Sequence, residues 1–162
     1  MNFKSIQSFL TSYEFRHFDC GNENLNRYIR THARENDINN LSKTYICEDN
    51  GIIVGFVTLC NAQIEFEMMP TQYKALNPKY PIPAIKIARL GVDVNQQTKG
   101  YGKALLWFAL RKIMQVASIV GTKFVVVDAK DEAKGFYEKY GFELLADSTY
   151  ILPIETLIKS IV

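Results

Sequence analysis

The chain has 162 residues, with 19 Lys and Arg against 17 Asp and Glu for a net charge of +2, and is 48% hydrophobic and 22% charged. That is the size and composition of a single globular domain spanning residues 1–162 with a real core. No apolar run reaches the roughly 18 residues of a membrane helix, and Met1-Asn2-Phe3-Lys4-Ser5-Ile6 lacks a signal peptide's apolar stretch, so a cytoplasmic protein without a membrane partner is expected.

The first predicted element is a helix over residues 23–36. Leu25, Tyr28, Ile29 and Ala33 fall on one side of it, Arg27, Arg30 and Arg34 on another, and Gly21-Asn22 precedes it as a start signal. Residues 43–48 and 52–66 read as strands joined by Asp49-Asn50-Gly51, where Asn-Gly is a strong hairpin signal because both residues tolerate positive φ. Residues 67–83 carry Pro70, Pro78, Pro81 and Pro83 and read as a loop with a short helical turn. Residues 84–94 are β-compatible, and 103–120 read as an apolar-rich helix ended by Gly121. Phe124-Val125-Val126-Val127, within a strand at 123–129, is a continuous β run suited to burial on both faces. A short helix at 131–140 is stopped by Gly141, strands at 142–145 and 148–152 close the pattern, and a small amphipathic helix occupies 153–162. This order fits an α/β (α+β) fold, a mixed sheet with helices on both faces. Cys20, Cys47 and Cys60 are widely spaced and odd in number, with only His17 near any of them. Neither a metal site nor a disulfide framework is expected.

The most informative stretch is Leu90-Gly91-Val92-Asp93-Val94-Asn95-Gln96-Gln97-Thr98-Lys99-Gly100-Tyr101-Gly102-Lys103-Ala104, where a strand enters a tight polar loop that opens a long helix. Such a loop turns several backbone N–H groups toward one point, where the helix dipole also favours negative charge. Glycines at 100 and 102 admit a phosphate close to the backbone, and Lys99 and Lys103 add positive charge. Neither the GxxxxGK[ST] loop nor the GxGxxG spacing is present. On this segment alone, a tight turn with a capped helix is the competing reading.

Gln97-x-x-Gly100-x-Gly102 resembles the Q/R-x-x-G-x-G/A acetyl-CoA signature of the GNAT acetyltransferase superfamily. Ala133-Lys134-Gly135-Phe136-Tyr137-x-x-Tyr140-Gly141-Phe142 resembles the family's A-x-x-F-Y-x-x-x-G-F helix and turn. A narrower resemblance covers nearly the whole chain. Phe18-Asp19-Cys20-Gly21-Asn22-x-x-Leu25-Asn26-x-Tyr28-Ile29 is similar to the opening of toxin-type GNATs from bacterial type II toxin–antitoxin operons. Ile82-Pro83-Ala84-Ile85-x-Ile87-Ala88-Arg89-Leu90-Gly91-Val92-Asp93 is similar to their I-P-x-x-x-L-A-R-L-A-V-D.

The resemblance implies the GNAT acyl-CoA N-acyltransferase fold, with a mostly antiparallel mixed sheet, and acetyl-CoA as cofactor. It implies acetylation of the α-amino group of aminoacyl-tRNA, so that translation is blocked, and neutralisation by a small ribbon–helix–helix antitoxin; a homodimer is a further candidate assembly. Acetyl transfer to an amine needs a positioned thioester, stabilisation of the oxyanion and protonation of the leaving thiolate. The resemblance assigns the pantetheine arm to the backbone around Leu90 and Val92, and the pyrophosphate to Gln97, Thr98, Lys99, Gly100, Tyr101, Gly102 and Lys103. It makes Tyr137 the general acid, with Phe136 beside the cofactor. The alternative for these rings is that they pack the last helix against the sheet. No general base declares itself, since Glu65, Glu67 and Asp93 are equally suited to capping or solvation. The Arg27, Arg30, Arg34 stripe suits an RNA backbone or an ordinary solvated helix face; Arg89 faces the acceptor or pairs with a carboxylate. Two further functions stay open: an acetyltransferase for small-molecule or peptide amines, and a non-catalytic acyl-CoA-binding domain.

Overall fold

The computed structural model describes residues 1–75 and 79–161. Residues 76–78, inside the loop expected at 67–83, and Val162, the end of the expected last helix, lie outside them. The elements in chain order are β1 (Asn2–Ser5), α1 (Glu23–Thr31), α2 (Ala33–Ile38), β2 (Lys43–Asp49), β3 (Ile52–Ile64), α3 (Thr71–Lys74), β4 (Ile82–Val92), α4 (Tyr101–Ala117), β5 (Phe124–Asp128), α5 (Asp131–Lys139), β6 (Glu143–Ala146), β7 (Thr149–Pro153) and α6 (Ile154–Ile161), with short 3₁₀ turns at Ile6–Ser8, Ser12–Phe15 and Phe66–Met68. The strands form one seven-stranded sheet in the order β1-β2-β3-β4-β5-β7-β6. Pairs β1/β2, β2/β3, β5/β7 and β6/β7 are antiparallel, and β4/β5 is parallel. The chain divides into two compact units, one of Met1–Cys60 with Ala88–Ala109, the other of Asn61–Ile87 with the residues from Leu110 on.

In the first unit Ile6, Phe9, Phe15, Phe18, Tyr28, Ile29, Ala33, Ile46 and Phe56 form the core. Its helical face is the one expected, but the single helix at 23–36 is two. The Thr31 hydroxyl donates to the Arg27 carbonyl (2.7 Å), a back-bond that bends helices. His32 then stands between the two helices with its φ stretched to −116° at ψ −30°, still in the right-handed helical region, before α2 begins. Asn22 caps α1 by accepting from Leu25 N–H. Asp37, 1% exposed, ties α2 to β2: Oδ2 accepts from buried Thr44 N–H (2.8 Å), while Oδ1 accepts from the Gln7 amide (2.7 Å) and Lys43 Nζ (3.2 Å). The β2–β3 turn has positive φ at Asn50 (49°) and Gly51 (77°), the backbone that matches the strands' twist.

In the second unit Ile64, Met69, Ile82, Ala84, Phe124, Val126 and Ile151 form the core. Phe124, Val125, Val126 and Val127 are all buried, as a strand covered on both faces requires. Helix α5 ends in a Schellman motif: Gly141 (φ 89°) N–H bonds to the Glu138 carbonyl and Phe142 N–H to that of Tyr137. Gly121 does not end α4. The helix stops at Ala117, the N–H groups of Ile119 and Val120 both return to the Val116 carbonyl (2.9 Å), and Gly121 lacks a left-handed backbone. Strand β1 and the 3₁₀ turns add to the elements expected from the sequence.

Candidate active site

The turn between β4 and α4 is exposed from Gln97 to Gly100. Thr98 (φ 65°) and Gly100 (φ 90°) are left-handed while Gln97 and Lys99 are not, and such alternation makes a concavity of backbone N–H groups that suits anions. A β-branched residue in that region is strained, and strain of this kind gathers at ligand clamps. A Cβ built on Gly100 would meet nothing within 4 Å. The glycine thus leaves open space beside the loop backbone. The first bond of the helix runs from Ala104 N–H to the Gly100 carbonyl (3.1 Å). The amides of Tyr101, Gly102 and Lys103 are therefore orphans of the helix start, at its positive dipole end.

The loop is braced from within its unit. The Gln97 side-chain amide turns back to donate to the carbonyls of Val92 (3.1 Å) and Cys20 (3.4 Å), so it holds the loop's shape. Asp93, 7% exposed, accepts Asp19 N–H at Oδ2 (3.1 Å) and Asn95 N–H at Oδ1 (2.9 Å). Val94 N–H donates to the Asp19 carbonyl (2.8 Å). Asp19 Oδ1 in turn accepts from Gly21 N–H and the Asn26 amide, which hold its carboxyl below the ordinary range. Tyr101 donates its hydroxyl proton to Asp49 Oδ2 (2.7 Å); this bond raises the phenol's pKa and lowers the carboxyl's. Lys99 reaches Gln96 Oε1 (3.2 Å), and Lys103 is exposed.

Strand β4 pairs with β5 only from Ala84 to Ile87. Its last five residues, Ala88 to Val92, carry Leu90 and Val92 onward with no register partner in β5 among the described residues.

The acetyltransferase (GNAT) domain family matches residues 40–144. The chain belongs to the GNAT acetyltransferases. This GNAT chain is 31% identical over 128 residues to the tRNA-acetylating toxin of Mycobacterium tuberculosis strain ATCC 25618 / H37Rv, covering 78% of the chain and 76% of that relative. Among solved structures, a crystal structure of a tyrosine-to-phenylalanine mutant of KacT superposes with a TM-score of 0.90 at 25% identity, covering 98% of each chain. The crystal structure of AtaTR bound with AcCoA gives 0.83 at 26% identity, covering 99% of this chain and 98% of that one.

The other residues that the sequence singles out in this GNAT chain are Tyr137, Phe136 and the arginines. Tyr137, 5% exposed, lies on α5 with Phe136 (centroids 5.1 Å apart) and Phe142 (5.4 Å) edge-on to its ring. Burial pushes its phenol up to about 12. Among the described residues its hydroxyl has no hydrogen-bond partner, yet no buried side-chain polar atom lacks one, so the hydroxyl opens onto accessible space. Phe136 is half-buried and also touches Tyr140 (5.2 Å).

The arginine stripe separates by use. Arg27 is exposed, Arg30 donates to the carbonyls of Phe15 (3.3 Å) and Phe18 (2.5 Å), and Arg34 donates to that of Phe9 (3.0 Å). Arg89 lies over the Tyr28 ring at 3.7 Å, a cation–π contact. Of the carboxylates weighed as a base, Asp93 has both oxygens engaged and Glu65 accepts from the Gln63 amide (3.3 Å). The cysteines are free, and burial pushes the Cys47 thiol up to about 11. Sequence reasoning missed the braces. Asp19 and Asn26 stood inside the quoted opening motif, whereas nothing local marks Asp49 as a partner of Tyr101.

Proposed function

We propose that this chain transfers the acetyl group of acetyl-CoA to the α-amino group of aminoacyl-tRNA, and that it thereby acts as a translation-arresting toxin. The observation that carries the acceptor is the 31% identity to a tRNA-acetylating toxin over most of both chains. The strained, amide-lined turn at Thr98 and Gly100 supports the cofactor.

In this reading residues 1–162 act as one acetyltransferase domain in the cytoplasm, where charged tRNA resides. Acetyl-CoA supplies an acetyl group activated as a thioester. The N–H groups of Gln97 to Lys103 hold the diphosphate, with Lys99 and Lys103 adding charge. The backbone of Leu90 and Val92 orients the pantetheine arm. Tyr137 holds a proton at Oη across the physiological range and delivers it to the leaving sulfur, while the proton that the attacking amine sheds on forming the amide passes to solvent, from which the phenol is reprotonated. An aminoacyl ester's amine is less basic than a free amine, so no protein base is assigned. Arg27 and Arg89 offer guanidinium groups to RNA. Arg30 and Arg34, anchored on carbonyls, offer their remaining N–H donors. A small antitoxin of the ribbon–helix–helix class completes the system.

The test is acetyl transfer from labelled acetyl-CoA by the purified chain to charged tRNA, uncharged tRNA and free amino acids. Labelled N-acetyl-aminoacyl-tRNA is expected, with nothing on uncharged tRNA. Transfer only to free amines or peptides would replace the tRNA reading by a small-substrate one. Coenzyme binding without any transfer would leave an acyl-CoA-binding domain.

A further inference from the structure

Tyr101 opens α4 and stands inside the loop read above as the diphosphate cradle, yet its side chain is committed elsewhere. Its hydroxyl donates at 2.7 Å to Oδ2 of Asp49, a residue 52 positions earlier in the chain. A phenol has one proton. While that proton is donated to Asp49, Tyr101 has none for a phosphate oxygen, so a direct ligand role through its hydroxyl is ruled out as long as the bond stands. Asp49 is itself held in place. It is the last residue of β2, followed at once by the left-handed pair Asn50 and Gly51, and its other oxygen accepts the Met1 ammonium at 2.9 Å. The tip of the β2–β3 hairpin thus grips the first residue of the helix whose first-turn amides have no intrahelical acceptor.

We propose that Asp49 is a positioning residue for acyl-CoA: through Tyr101 it fixes the first turn of α4, and with it the direction of the 97–103 amides. The inference rests on the reading of that loop as the coenzyme cradle. A carboxylate close to an anion site opposes the anion by charge. Its contribution is therefore the acceptor oxygen that anchors the phenol, and an uncharged acceptor at the same place should serve.

The experiment is calorimetric titration of coenzyme A into the wild-type chain and into Asp49→Ala, Asp49→Asn, Tyr101→Phe and the Asp49→Ala/Tyr101→Phe double variant, with a thermal melt of each. Asp49→Ala and Tyr101→Phe should each raise Kd about tenfold, the scale of one charge-assisted hydrogen bond. The double variant should add little to either, and Asp49→Asn, which keeps an oxygen in place, should restore most of the affinity. In turnover the loss should fall on KM for acetyl-CoA more than on kcat. If Asp49→Ala does not fold, Tyr101→Phe against wild type carries the measurement. Unchanged Kd in the single variants, or losses that multiply in the double variant, would overturn the proposal alone. A wild-type chain with no affinity for coenzyme A would overturn the loop reading and this proposal with it.

Discussion

Gly100→Ala separates what the cradle does for the ligand from what it does for the fold. An alanine at φ 90° is left-handed, at a cost of about 1–2 kcal/mol. No steric term is added, because nothing lies within 4 Å of the new methyl. Removing a glycine also stiffens the unfolded chain, which returns about 0.4–1 kcal/mol. The net loss is therefore between zero and about 1.6 kcal/mol, or at most about 6 °C in Tm for a domain of this size. Coenzyme A should suffer more, since the methyl occupies the space the diphosphate would fill: an affinity loss beyond about tenfold, or ~1.4 kcal/mol, is expected. The assay is a urea or thermal melt beside a calorimetric titration, with Gly121→Ala as control. That glycine also has open space around it but no left-handed backbone, so stability and affinity should both hold. Wild-type affinity in a folded Gly100→Ala protein would refute the cradle.

Tyr137→Phe should retain the fold and coenzyme affinity while kcat falls about 10²- to 10⁴-fold, the usual range for a lost proton donor; turnover at wild-type rate would remove Tyr137 from the chemistry. The same variant has a pH signature. The folded phenol, pushed up to about 12, holds its proton more tightly than the unfolded chain does near pH 10. Its contribution to stability is full below pH 10 and is lost as pH rises toward 12. Wild type should thus lose about 2 kcal/mol more than Tyr137→Phe between pH 10 and 12, and parallel curves would contradict this. Asp37→Ala leaves the buried Thr44 N–H without its acceptor, at a cost of about 1–3 kcal/mol. Asp37→Asn should fall between alanine and wild type, and an unmoved urea midpoint for the alanine variant would show that the clasp is dispensable.

The parts of the fold legible in the sequence are those fixed by neighbours. Asn50-Gly51 makes its turn because both residues accept positive φ, the Phe124–Val127 run is buried throughout, and Gly141 completes a Schellman cap within its own turn. The strand–loop–helix order around Gly100 was likewise readable, being local. What escaped depends on distant groups or on competition between side chain and backbone. Strand β1, Asn2–Ser5, alternates exposed and half-buried residues with no apolar run to announce it, and is an edge defined by its pairing with β2. The break at His32 follows a threonine hydroxyl taking a helix carbonyl. Arginines that look like a stripe on a helical projection include two that spend donors on the carbonyls of Phe9, Phe15 and Phe18. The pairing of Asp49 with Tyr101 leaves no local trace at all.

The clasp of Asp19 on Asp93, and of Cys20 on Gln97, joins residues 74 and 77 positions apart in the chain. During synthesis on the ribosome, residues 19–26 emerge long before the stretch that completes them. Closing so wide a loop of chain is entropically costly until its ends meet. Contacts of this span slow folding, so the turn at Asp93 and Gln97 is a late product of the nascent chain's folding, and residues 19–26 must wait through the synthesis of the intervening strands before they find their partners.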